Sequence, residues 1–260
     1  MAITLTYLDD LARVQITATD LAASEVRVER SVDGAPWETV RGGVAAIPDS
    51  GAIELDDYEF GSDVGNEYRV VDTGDDSVLE TDSITPSLGG RVWLKNVRYP
   101  LVNRRLWRVL DRGQSISRPA RGEVFPIVGR SVPVAQTDLR DSKRFTLDFQ
   151  AQDEEEAGAI DLSLAVGGVL FIHVPPGCPV QGGYVVADTT AQARQATVER
   201  WVFTLPCTIV APPGPDVTPT TLTWGTVERL YGSWTALLAA HPTWKSLRSL
   251  VGLPEDLEEP

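Results

Sequence analysis

His173 and His241 are the only histidines in the chain, so acid-base or imidazole-metal chemistry near neutral pH would have to start from them. His173 lies in the apolar run VLFIHV and His241 precedes Pro242; each reads as a structural side chain. Asp153, Glu154, Glu155 and Glu156 form an acidic run. Successive carboxylates at a helix start point in different directions, whereas catalytic pairs must converge on one reacting atom. There is no glycine-rich loop followed by Lys for phosphate, and no nucleophile elbow. Cys178 and Cys207 fit neither a disulfide framework nor a paired metal motif, and read as small apolar residues. The expectation is a chain that is not an enzyme and holds no cofactor or metal.

The remaining chemistry is recognition. VRYPLVNRRLWRVLDRG carries Arg98, Arg104, Arg105, Arg108 and Arg112 with Tyr99 and Trp107. Arginine with aromatics suits stacking on single-stranded nucleic acid, and equally a protein interface, where both are enriched. Charge is segregated along the chain. Residues 1–86 hold 19 acidic and 5 basic residues, residues 87–151 hold 5 and 13, and residues 152–260 hold 13 and 5. With a net charge of −14 the whole molecule repels a phosphate backbone at long range. The basic block therefore reads as a protein interface, facing acidic surface in this chain or in a neighbouring copy.

Near the end, TWGTVERLYG SWTALLAAHP TWKSLRSLVG repeats a ten-residue unit, with Trp224, Trp234 and Trp244 each following Thr or Ser. On one unbroken helix successive Trp would lie about 80° apart and form no stripe. Gly232, Pro242 and Gly252 instead divide the segment into short helices, each N-capped by Thr or Ser. Val227, Leu237 and Leu247 follow three residues after each Trp. Helices this short need packing to persist, against the body of the chain or against a partner. The three Trp, with the Arg-rich stretch, are the candidate interface residues.

These groups need a frame, and the sequence predicts a mainly β one. ITLTY, RVQITAT, EVRVERS, WETV, AIEL, EYRVVD and SVLETDSI have strand length and composition, and Asp33-Gly34 marks a hairpin turn. Seven strands over residues 1–86 predict a small β-sandwich. DSITPSLGG, where the charge sign changes, is the expected boundary. Residues 91–212 predict a second β-sandwich or barrel-like unit. In KRFTLDFQA, Phe145, Leu147 and Phe149 alternate with polar residues, and DLRDSKR before it reads as a long charged hairpin loop. One inserted helix starts at an Asp153 cap and carries a stripe of Ala157, Ile160 and Leu164. APPGPDVTPT reads as a Pro-rich linker, so residues 213–260 form a linker and a short helical tail. The first residues, MAITLTYLDD, predict no secretory signal, and no run is long and apolar enough for a membrane helix.

VERSVDGAPWETV followed by DYEFGSDVGNEYRVVD resembles a fibronectin type III or related immunoglobulin-like module, of the kind carried by bacteriophage tail proteins. The resemblance implies that Tyr68 anchors a chain corner; the family's second-strand Trp is replaced by Ile16. GRSVPVAQTDLRDSKRFTLDFQAQDEEEAGAIDLSLAVGGVLFIHVP is similar in order and texture to minor tail or distal tail proteins of long-tailed phages, and the Ser/Thr-Trp units resemble those ending some tail proteins of phages that infect actinobacteria. What the resemblance implies is a structural virion protein of the tail tip, assembled in the host cytoplasm. Its middle unit would build a ring, commonly a hexamer, joining tail tube to tip. The implied partners are the chain itself, tail tube, hub or tape-measure proteins and the host envelope, with no specific nucleic acid and no membrane insertion. The alternative is a host-surface or carbohydrate-binding module that reads glycans through Trp37, Tyr58 and Phe60. A tail-associated hydrolase lacks a catalytic set.

Overall fold

The computed structural model describes residues 2–110, 115–126, 128, 131–132, 134–195, 200–217, 231 and 233–240. The chain is mainly β, as the sequence predicts. Seven strands build the N-terminal sandwich: β1 (Ala2–Leu8), β2 (Arg13–Thr19), β3 (Val26–Val32), β4 (Glu38–Thr39), β5 (Ile53–Asp57), β6 (Asn66–Asp72) and β7 (Val78–Ile84). They pair as an antiparallel sheet β1-β2-β5 and another ordered β4-β3-β6-β7. Val14, Ile16 and Ala18 of one sheet and Val26, Val28, Tyr68 and Val70 of the other bury one shared core. Asp33 and Gly34 both take positive φ, 52° and 73°, which the tight turn after β3 requires.

The inward series do not stay apolar. Val26 and Val28 continue to Arg30, and Ile53 and Leu55 continue to Asp57. Arg30 lies opposite Tyr68 in the register, so one end of the core is polar. There Arg30 Nη1 donates to Asp57 Oδ1 and Oδ2 at 2.8 and 2.7 Å, and the Tyr68 hydroxyl donates to Asp57 Oδ2 at 2.7 Å. Tyr68 thus ties the corner after β5, through a carboxylate. Asn66 braces the same corner by bonding both the N–H and the carbonyl of Gly61. A Cβ at Gly61 would meet Val32 Cγ1 at 2.4 Å and Val64 Cγ2 at 2.6 Å. Gly61→Ala is therefore expected to destabilise the fold by about 1–3 kcal/mol through overpacking, read as a lower urea midpoint.

The second unit is one antiparallel sheet rolled into a half-barrel. Its strands are β8 (Trp93–Asn96), β9 (Arg104–Arg105), β10 (Arg108–Val109), β13 (Arg144–Ala151), β14 (Leu170–His173), β15 (Gly183–Ala187), β16 (Ala191–Gln195) and β17 (Arg200–Ile209). The order is β10-β13-β17-β15-β14-β8-β9, and β16 also pairs with β17. Helix α1 (Glu154–Ala165) packs on β13, β17 and β9 and seals the concave side with Ala157 and Ile160 against Phe145, Leu147, Phe149, Phe203 and Leu205. Asp153 caps it by accepting from the Glu156 N–H at 2.8 Å, as its position predicts. Ser163 is buried and Leu164 only partly so, which rotates the expected stripe slightly.

Between β10 and β13 the chain leaves the barrel as a ribbon containing β11 (Gly122–Phe125) and β12 (Val134–Thr137). Residues 138–143 belong to no strand, as a loop reading expects, but they are not a hairpin turn, because β12 pairs with β11 and β13 with β17. Their main chain pairs with the outgoing limb: Asp138 N–H donates to the Arg121 carbonyl, Asp141 N–H to the Pro119 carbonyl, and Ser117 and Arg144 exchange both bonds. The charges that resemble a loop are ladder-side ion pairs, Asp141 to Arg121 and Arg144 at 3.0 and 2.9 Å. The hairpin tip lies instead between β11 and β12.

The two units are packed together along the outer faces of β8 and β14. Val92 and Leu94 face the barrel core, while Trp93 enters the sandwich core. The boundary segment is docked too: Leu88 is buried in the sandwich core, and its N–H donates to Ser62 Oγ. So is the start of the Pro-rich stretch, where Arg41 donates to the Pro213 and Gly214 carbonyls. Among the described residues no helix is long and apolar enough to cross a membrane.

Candidate protein-protein interface

The Arg-rich stretch occupies the seam of the half-barrel. β9 and β10 are the two ends of the sheet order, and residues 104–109 step from one edge to the other. Arg98, Arg105 and Arg108 are exposed there. Arg104 is not part of that face. It is half-buried, and its guanidinium donates to the carbonyls of Leu101 and Asn103 at 2.9 Å; burial lowers its pKa from the ordinary value. Trp107 is half-buried beneath Arg200, whose guanidinium lies 4.6 Å from the ring centroid. Charged side chains on edge strands discourage indiscriminate strand pairing and leave selective, charge-matched contact open. Arg112, Trp224 and Trp244 lie outside the described residues.

Trp234 opens the short helix α2 (Trp234–Ala240), and Ser233 Oγ caps it by accepting from the Ala236 N–H at 3.2 Å. The unit is a separate short helix, as predicted. Leu237 is the residue buried in this chain, at 4% exposure, while Trp234, the interface candidate, is 60% exposed. Spacing identified the cap but not which side of so short a helix meets the protein.

Charge segregation persists in the folded chain. All five Arg of the sandwich are engaged by its own acids: Arg13 with Asp56, Arg27 with Glu29, Arg30 with Asp57, Arg41 with Glu59 and Arg69 with Glu29. The sandwich therefore keeps a large acidic excess. No protein-family model matches the chain, and no curated protein matches it. The geometry stands alone in pointing to a role. It offers little to a glycan: Phe60 is buried, Tyr58 is half-buried against the barrel, and Arg69 covers the Trp37 ring at 4.3 Å.

Two features were not legible from residue types. The first is the ribbon, which exposes Ile116, Val124, Phe125, Val128, Val132 and Val134. Its apolar residues are visible in the sequence, but nothing there says that no second layer covers it among the described residues. The second is Lys95, buried where the units meet. Its Nζ donates to the Ala12 and Tyr58 carbonyls at 2.7 Å and lies 2.9 Å from His173 Nδ1. Burial pulls Lys95 down to about 7, against the opposing pull of Asp57 and Glu59. His173 is also held well below its ordinary value, first by burial and then by Lys95. A neutral imidazole accepts from the ammonium, so three acceptors meet three donors. The small hollow beside Lys95, about 10 Å³, has room for about one water and none for a substrate. This cluster joins the two units structurally.

Proposed function

We propose that this chain is a structural subunit of a phage tail tip that assembles with copies of itself into a ring joining tail tube to tip. The observation that carries the reading is the separation of charge on one folded chain: an acidic sandwich whose arginines are internally used, and a barrel seam with exposed Arg98, Arg105 and Arg108. Opposite charges at different places on identical copies favour head-to-tail contact. Such contacts close into rings when the rotation permits, and charge sets approach and register more than affinity. The tail-tip setting rests on the resemblance of the middle unit and the N-terminal module to phage tail proteins. In that setting tube, hub or tape-measure proteins and the host envelope are the further partners.

The test is the mass and symmetry of the full chain, by light scattering and electron microscopy at low and high salt. The expected result is a closed ring whose assembly weakens as salt rises. Converting Arg98, Arg105 and Arg108 together to Glu should leave the fold intact and give monomers. Arg104 is omitted because its guanidinium serves the local main chain. A monomer at every concentration and salt would overturn the reading, as would a triple variant that assembles like the parent.

A further inference from the structure

The ribbon is the least self-sufficient part of the structure. A two-stranded hairpin is marginal in water without a further layer. This one has four strand residues per limb, Gly122–Phe125 and Val134–Thr137, above main-chain bonds between residues 117–121 and 138–144, and its described apolar side chains are exposed. Phe125 is 45% exposed and Val128 is 102% exposed. Residues 115–144 carry six basic and three acidic side chains. At the root, Arg118, Arg140 and Lys143 line an open hollow of about 470 Å³ with Asp141, Ser142 and Ile209. A partner for this arm must offer apolar contact within an acidic surround.

The end of the sandwich away from the barrel has that composition. The Leu21 N–H donates to the Gly51 carbonyl, Val26 N–H to Ala46, and Thr73 N–H to Glu25, while Val26 lies opposite Asp72. These bonds gather the segments around residues 20–26, 44–51 and 72–78 at one end. Ile47 is 76% and Val78 51% exposed at this end, which also carries exposed Asp49 and Asp75 and, paired with Arg27 at 3.1 Å, Asp76. Ile47 and Val78 lie at opposite edges of the four-stranded sheet, about 14 Å apart, two separate apolar contacts within an acidic rim that matches the arm's arginines.

We infer that the ribbon limbs, residues 115–126 and 134–144 with Val128 at the tip, dock onto this acidic distal end of the sandwich in a second copy of the chain. The inference rests on the self-assembly reading and names its contact. The arm is donated and the sandwich end receives, so the contact is heterologous and propagates from copy to copy. The arm's exposed Val and Phe gain a second layer that no described residue supplies, and the receiving end loses its apolar exposure.

The experiment uses the full chain. Phe125→Glu with Val128→Glu alters the arm, and Ile47→Arg with Val78→Arg alters the receiving end. All four positions are exposed, and circular dichroism checks that each variant folds. Each pair is expected to shift the assembled mass to that of a monomer. In a second arm, a Val128→Cys chain is mixed with an Ile47→Cys chain and treated with a short bis-maleimide. A covalent dimer joining the two introduced thiols is expected, with neither chain giving that linkage alone. If the parent chain is monomeric throughout, the assembly reading falls and this contact with it. If the parent assembles but the arm variants assemble equally well, or the linkage does not form, the inference alone is overturned.

Discussion

Asp57→Ala should lower the stability of the full chain by about 3–5 kcal/mol, the cost of breaking a buried ion pair from one side. Asp57 is 2% and Arg30 9% exposed. Burial alone would lower the Arg30 pKa, but the Asp57 carboxylate reverses this and raises it above its ordinary value. Without Asp57 the guanidinium is left with Glu38, an exposed side chain 3.9 Å away, which solvent screens. The Tyr68 hydroxyl and the Glu59 N–H lose the same acceptor. Asp57→Asn keeps one carbonyl oxygen, enough for the Glu59 N–H or the Tyr68 hydroxyl but not both, and loses the charge, so it should fall between Ala and the parent. Replacing the pair together, Arg30→Met with Asp57→Leu, should recover the part due to the unpaired guanidinium but not the part due to the acceptor that Tyr68 and Glu59 lose. Urea midpoints for the four chains check this. A single Ala variant within 1 kcal/mol of the parent would mean that Arg30 finds another partner or water.

The seven strands of the sandwich follow from local signals. In RVQITAT the period of two selects Val14, Ile16 and Ala18 for the core, and Asp33-Gly34 supplies the positive-φ pair that turns the chain after β3. Asp153 fixes the start of α1 by its side chain. What local signals do not encode is which layer meets the other face. In RVWLKNV, Val92 and Leu94 alternate with Trp93 and Lys95, and by pattern the second pair belongs to solvent. It is buried because the end of the sandwich covers it. Residues 138–144 read as a loop because their charges interrupt the apolar alternation, whereas strand pairing needs only main-chain groups. The candidate interface was legible as a composition, and its exposed members were not. Arg104 and Arg105 are adjacent, yet one bonds local carbonyls and the other faces water. Edge strands with alternating sides make that distinction inevitable and invisible to spacing.

Lys95→Met should cost little near pH 7 and about 4 kcal/mol at pH 10. The sign follows from the lowered pKa. In the unfolded chain Lys95 keeps its proton up to about its ordinary 10.5, while in the fold it releases it near 7. Between those values the unfolded state holds more protons, so parent stability rises with pH, by roughly 4 kcal/mol between pH 7 and 10. Below 7 the cost of a buried ammonium is fully present, and Met escapes it. That relief offsets the loss of hydrogen bonds to the Ala12 and Tyr58 carbonyls, each worth about 1–3 kcal/mol when left unmet. Above 7 the parent amine is neutral and still donates to both carbonyls, so the full loss shows. Met carries no proton and has no rise across the window. His173 acts in a separate range: its folded pKa is depressed, so its contribution is intact above about 6.5 and is lost as pH falls. Above 10 the half-buried tyrosines reverse the trend, since Tyr7, Tyr58 and Tyr184 are raised, first by desolvation. The difference between the parent and Met chains, followed by urea unfolding from pH 7 to 10, isolates the lysine from all of these. A constant difference across that range would show that Lys95 keeps its proton in the fold, held by its three acceptors.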